Sequence, residues 1–424
     1  MAMAAEAITG GIGRPGAAYV QARLAKLLDW LVAFWIFSGG FVMTEPSPYE
    51  LSFLMVLGLA VFAGLGIHRS TLGLMVLFAA FIPFAFIAAF QVRNGDLTNA
   101  LIFQAVTIFL LFTGYFIANY VADAPQQRMR LVIGAYIGTA VLGSIVGTLG
   151  YLHIIPGADM LTKFGRAKAF FNDPNVFGPF LILPAMYLLQ RVLLGSRGRA
   201  VWAGLLLMVL VVGVFASFSR AAWGHFAASA AIVFLLIFVL EAKALDKVRM
   251  LMIAMAGALM VAVAIAGLLS IPSVSELFEV RASSQNYDEG ETGRFGRQGY
   301  AFEMALANPL GIGPNEFSTR RITELPHNSY VNVLLVYGWG GGFVFYMLVA
   351  VTIWRGLTFV FRRSPNRLLL IPLVAVFIPL SVEAAIIDLD HWRHFFLVAG
   401  LIWGVTAAYD RIGAGEDKRL SALI

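Results

Sequence analysis

Four short stretches gather the side chains able to do chemistry in a chain that is otherwise apolar. They are "RAKAFFNDPNVFG" (166–178), "SFSR" (217–220), "PHNSY" (326–330) and "HWRHF" (391–395). Arg166 and Arg220 bring guanidiniums, which stay charged and grip phosphate oxygens two at a time, and Lys168 adds a point charge. A histidine's ordinary pKa lies near neutral, so His327 is the side chain there able to take a proton from a hydroxyl. Each also has a bland reading. Asn172 or Asp173 suits a helix cap, with Pro174 in the first helical position, and Ser217 or Ser219 suits another. Arg220 at a span end can snorkel to lipid headgroups, and His327 can be an ordinary loop histidine.

The elements that must position these residues follow from composition. The chain has 424 residues, 60% hydrophobic and 13% charged, which excludes an ordinary soluble globular protein. It reads as an all-α polytopic membrane protein. Apolar runs of roughly 20 residues, enough to cross a hydrocarbon core, recur about twelve times. They lie near 27–43, 49–66, 71–90, 100–121, 131–151, 176–194, 201–217, 221–240, 250–270, 328–354, 368–386 and 395–409. The expected organisation is a cytoplasmic segment 1–26, spans one to nine over 27–270, an external loop 271–327, spans ten to twelve over 328–409, and a cytoplasmic tail 410–424. No small-residue cleavage site follows a short apolar core near the N-terminus, so the first span is expected to stay.

With both termini inside, 19 of the 30 Lys and Arg fall on inner segments and 11 on outer ones, the sense of the positive-inside rule. Eight of those 11 sit in the two longest outer connections, 152–175 and 271–327. In this topology every even-numbered span begins at the outer face, where the helix dipole is positive and backbone N–H groups are free. All four polar stretches precede such a beginning. Arg220 in a helix's first turn has the wrong sign for the dipole, and a cation beside a positive helix end calls for an anion. The aromatic residues of 271–327 predict short helices lying over the bundle rather than a disordered loop.

Other chemistries lack support. There is no cysteine, hence no disulfide, thiolate metal site or Cys nucleophile. The nucleotide-binding, zincin and serine-hydrolase signatures are missing, and the cations are split between two faces, which argues against a nucleic-acid partner. "DLD" (388–390) looks like a metal-holding carboxylate pair, with Glu45 and Glu383 as further acids. Pairing with arginines or with His391 and His394 suits it better, and no metal or cofactor is expected. Arg281, Arg294, Arg297, Arg320 and Arg321 can pair with Asp288, Glu289, Glu291 and Glu324 as a solvated surface.

Taken in order, "GRAKAFFNDPNVFGPFL" (165–181), "FASFSRAAW" (215–223), "TGRFGRQGYAFEMALANPLGIGPNEF" (292–317) and "HNSYVNVLLVYGWGGGFVFY" (327–346) resemble the O-antigen ligase and polysaccharide polymerase superfamily of bacterial inner-membrane glycosyltransferases. The resemblance covers roughly residues 160–350. It implies transfer, with inversion, of a glycan from undecaprenyl diphosphate to an acceptor hydroxyl at the periplasmic face, the acceptor being a glycan or the lipid A core. On this resemblance Arg166 and Arg220 hold the diphosphate, with Lys168 and Arg297 beside them, and Arg294 lines the loop side of the cavity. His327 is the base, and Asn175 and Asn328 orient their neighbours. The family divides into ligases, which attach finished chains, and polymerases, which extend them. The Arg-to-Gly spacings 166–178 and 281–293 are each one residue longer than the polymerase pattern, and the lean is toward a polymerase or exopolysaccharide enzyme. The rival class is a lipid-linked glycan transporter or flippase, against which stand the few mid-span charges and the lack of an evident repeat between the two halves.

Overall fold

The computed structural model describes residues 15–282, 290, 293–320 and 324–421. Long apolar runs leave the backbone no partner but itself, so almost every element is a helix. The chain begins with α1 (Pro15–Ser38), α2 (Pro48–Ala63), α3 (Leu72–Ala89), α4 (Leu97–Asp123) and α5 (Pro125–Tyr151). Ser47 and Glu50 form a reciprocal capping box at α2, and Asp96 caps α4.

The first long connection holds α6 (Ala158–Leu161) and a two-stranded hairpin, β1 (Thr162–Lys163) and β2 (Arg166–Ala167). The strands pair antiparallel, Thr162 opposite Ala167 and Lys163 opposite Arg166. After them come α7 (Pro174–Phe180) with its continuation α8 (Ile182–Leu194), then α9 (Arg197–Ala216), α10 (Arg220–Leu240) and α11 (Ala244–Leu269). The second long connection contains α12 (Pro272–Ala282), α13 (Arg294–Ala307) and α14 (Phe317–Arg320), and the chain ends with α15 (Ser329–Val360), α16 (Arg367–Glu383) and α17 (Arg393–Ser421). The short helices expected over 271–327 are therefore present. Asp288, Glu289, Glu291 and Arg321, and the side chains of Arg281 and Arg320, lie outside the described residues, so their expected pairings do too.

Each of the twelve expected spans falls on helix, and among the described residues eight of those segments are long and apolar enough to cross a membrane. The other four fall on α1, α2, α16 and α17. Of these, α2 has 16 residues and α16 has 17, short of the roughly 20 that a full crossing asks.

Hydrogen bonds between connections sort them into two ends. At one end Val42 N–H donates to the Phe170 carbonyl (2.9 Å), Arg393 Nε to Glu50 Oε1 (2.7 Å), Asn94 N–H to Glu316 Oε1 (3.1 Å) and Arg166 Nε to the Ser217 carbonyl (2.8 Å). This is the site end, where α4, α7, α10, α15 and α17 begin. At the opposite end His68 meets Asp123 (2.6 Å), Gln126 Nε2 donates to Asn366 Oδ1 (2.9 Å), and Arg367 meets Glu241 (2.8 Å).

One break in a helix shapes the site end. Gly338 interrupts α15 at φ 72°, and the "NPLGIGP" loop lies against the opening. Trp339 N–H donates to the Pro309 carbonyl (2.9 Å), Ile312 N–H to Leu335 (2.9 Å) and Gly313 N–H to Val336 (3.2 Å). A Cβ on Gly338 would stand 2.4 Å from the Pro309 carbonyl, and one on Gly311 2.3 Å from that of Val336. Only glycine fits at both places.

Candidate functional site

The first wall of the site is the turn from β2 into α7. Asp173 caps α7, its carboxylate accepting from Asn175 N–H (2.8 Å), and also stands 3.2 Å from Lys163 Nζ. Of the two candidate caps, Asp173 is the one used. Arg166 is buried: its Nε donates to the Ser217 carbonyl at the end of α9 and its Nη2 to Asn175 Oδ1 (2.7 Å). One guanidinium thus joins the hairpin, α7 and α9, and Asn175 orients it. Lys168 is half-buried and donates to the Phe171 carbonyl (3.1 Å). Desolvation, reinforced by nearby Lys163 and opposed by Asp173, holds its ammonium below the usual lysine pKa.

The second wall is the start of α10. Ser219 is the N-cap, accepting from Ala222 N–H (3.4 Å), while the Ser217 hydroxyl accepts from Ser219 N–H (3.4 Å). Phe218 between them is left-handed, at φ 46°. Arg220 is the first helical residue and is exposed.

The third wall is the start of α15. Asn328 caps it, Oδ1 accepting from Tyr330 N–H (3.1 Å) and Val331 N–H (3.2 Å). His327 just before it is left-handed at φ 54°, and its Nδ1 stands 3.3 Å from Asp388 Oδ2. The same carboxylate accepts from the backbone N–H groups of His327 (3.1 Å) and Asn328 (3.0 Å). Burial raises the Asp388 carboxyl above its ordinary pKa, against the pull of His327 and Asn328 N–H. On the loop side Gln298 Nε2 donates to the His327 carbonyl (3.0 Å), and Asn328 Nδ2 to Gln298 Oε1 (3.4 Å). Arg294 opens α13 half-buried, and Arg297 is buried with Nη1 on the Glu324 carboxylate. For Arg297 the pairing with Glu324 anticipated as the bland reading is realised.

Sequence reasoning did not find Asp388 as the partner of His327, nor Gln298 as the clamp on His327 and Asn328. The "DLD" motif did point to histidine pairing. Asp390 lies 3.3 Å from His391 Nδ1, while Asp388 turns to His327 across 61 residues of chain. Among the described residues no group of three or more His, Asp and Glu side chains is set to hold a metal.

A bundle of apolar helices, with its polar caps, buried arginine and His–Asp pair gathered at one end, is a multi-pass membrane protein. Residues 203–346 match the family model described as O-antigen ligase, which supports the resemblance to the ligase and polymerase superfamily over that stretch. The matched stretch contains Arg220, Arg294, Arg297, His327 and Asn328, and leaves out Arg166, Lys168, Asn175 and Asp388. No curated protein matches the chain significantly.

Proposed function

We propose that the protein is an inverting glycosyltransferase of the bacterial inner membrane. It moves a glycan from undecaprenyl diphosphate to an acceptor hydroxyl at the periplasmic face, both termini being cytoplasmic. The observation that carries this reading is the His327–Asp388 pair at the beginning of α15, at the same end of the bundle as Arg166 and Arg220. Asp388 faces Nδ1 and favours the tautomer with a proton there, which leaves Nε2 to accept one. The acceptor hydroxyl gives its proton to Nε2 as its oxygen attacks the anomeric carbon. The bond to the diphosphate breaks on the far face, and undecaprenyl diphosphate leaves with the electron pair. Guanidiniums and helix N-termini stabilise that developing charge more than the intact donor. General-base help supplies about 10² to 10⁴ in rate, and the activated leaving group the larger part of the rest.

The family model's description favours a second reading within this class, in which a finished chain passes to the lipid A core rather than to a growing glycan. Incubating the purified protein with an undecaprenyl-diphosphate oligosaccharide and either acceptor separates them: a ladder of products marks a polymerase, a single addition to lipid A core a ligase. Passage of the donor across a vesicle membrane without a new glycosidic bond would sink the enzyme reading in favour of a flippase.

A further inference from the structure

A cavity of about 570 Å³ opens at the site end away from the arginine wall. It lies between the start of α4 (Asp96, Asn99, Phe103), the segment from Asn315 into α14 at Ser318, and the 391–393 turn that carries His391 and Arg393. Its size falls within the range of small-molecule sites, about 300 to 1,000 Å³. Nothing in the mechanism above uses it.

Its walls are fixed from behind. The fully buried carboxylate of Glu316 accepts from Asn94 N–H (3.1 Å), Asn94 Nδ2 (2.9 Å) and Gly95 N–H (3.2 Å), which pins the loop to the turn before α4. His391 is held by Asp390 at Nδ1 (3.3 Å) and by the Thr107 hydroxyl at Nε2 (2.8 Å), with the Phe103 ring 4.1 Å from its own. Arg393 is taken up by Glu50 (2.7 Å) and Glu45 (3.4 Å). The lining therefore offers amides, hydroxyls, the carboxylates of Asp96 and Glu45, and the Phe103 and His391 rings, with its arginine already neutralised. That mixture of donors and acceptors suits neutral vicinal hydroxyls and does not suit a second diphosphate.

Two further features point to a lipid-anchored sugar. The lining continues down α4 through Ile102 and Val106 to Leu110, about 20 Å of helix from Asp96 at 1.5 Å per residue. Polar groups lie at the mouth and apolar ones below. His391 is also three residues from Asp388, so their Cα atoms are at most about 11 Å apart. A sugar chain seated against His391 therefore lies along the turn that also carries Asp388, the partner of His327.

We infer that this cavity is the acceptor subsite, holding the neutral sugar units next to the one that carries the attacking hydroxyl, with the lipid anchor running along α4. The inference rests on the glycosyltransferase reading. Asn99→Ala with Asn315→Gly tests it cleanly: Asn99 is exposed in the first turn of α4, and glycine tolerates the φ of 62° at Asn315. The probe is the repeat oligosaccharide of the producing bacterium on a short alkyl chain, which lacks a diphosphate and can only accept. In the full-length protein in nanodiscs the double variant raises KM for this probe about tenfold, the loss of two hydrogen bonds, with kcat within about twofold and donor KM unchanged. Val106→Trp, which narrows the apolar part, raises the same KM. If the wild type transfers to the probe and neither variant moves its KM, the cavity holds only lipid and the inference fails. A change in donor KM instead would assign the cavity to the donor and overturn it equally. Absence of transfer by the wild type to any acceptor would strike the glycosyltransferase reading itself.

Discussion

The two ends of the bundle keep their shape by different means. At the opposite end charges are matched within short, ordinary turns: Asp123 receives His68 (2.6 Å) and Arg128 (2.8 Å), Arg128 lies over the Tyr120 ring at 4.3 Å, and Arg367 meets Glu241. At the site end the backbone itself is unusual. His153, Phe164, Ala169, Phe218, Asn315 and His327 all have positive φ, and these are the non-glycine positions of that kind among the described residues. Each costs of order 1 to 3 kcal/mol and persists only where the surroundings over-determine it. The carboxylate of Asp388 on two successive N–H groups and the amide of Gln298 do this for His327. One end is held by matched charges, the other by an unusual backbone that side chains hydrogen-bond into place.

That contrast predicts which substitutions separate activity from stability. The largest effects belong to the site end. His327→Ala and Arg220→Ala lower transfer by about 10² to 10⁴, from loss of the base and of a transition-state cation, with expression and melting temperature near wild type. Wild-type activity in both would remove the site assignment. Next comes Gly338→Ala, which drives a Cβ toward the Pro309 carbonyl at a left-handed position and costs about 2 to 4 kcal/mol. Faster proteolysis in the loop around Pro309 is the readout. If the variant melts like the wild type, the wedge does not hold α15. Arg367→Ala at the opposite end leaves kcat unchanged and removes about 1 to 3 kcal/mol, because it strands a mostly buried Glu241. A loss of transfer without a fall in melting temperature would blur the distinction between the ends.

How much of this was legible in the sequence follows from the range of each interaction. Helix positions and caps are local, so Asp173 and Ser219 emerge from their own neighbourhoods, each as one of two candidates, as does the direction of each helix. Arg166 with Asn175 also lies within one stretch, although nothing in the spacing says that the guanidinium turns to the end of α9 rather than outward. The His327–Asp388 pair, the Gln298 clamp and the Glu316 anchor join elements tens to hundreds of residues apart. A single sequence carries no signal for such pairings. Arg297 pairs with Glu324, an ion pair that their charges alone already allowed. The acceptor cavity was beyond reach for the same reason, being formed by three segments that meet only in the fold.

The smallest effect is the most specific to the His–Asp pair. Burial raises the Asp388 carboxyl above its ordinary value, so between the unfolded and folded pKa values the folded protein binds more protons than the unfolded one. Stability from this group is therefore present at low pH and is lost as pH rises through the folded pKa. The sign is opposite to that of a carboxylate stabilised chiefly by an ion pair. Asp388→Asn removes the titration and keeps an oxygen to accept a backbone N–H, so the melting temperature of the variant changes less steeply with pH just above the usual carboxylate range. Its transfer rate falls as well, because a neutral amide no longer favours the Nδ1-protonated His327 or stabilises the imidazolium that forms. Should the variant and wild type show the same pH slope, Asp388 is ionised in both states, and burial does not dominate its environment. Should its rate stay at the wild-type level, His327 works without that carboxylate, and the cap at Asn328 and the clamp at Gln298 suffice to aim the ring.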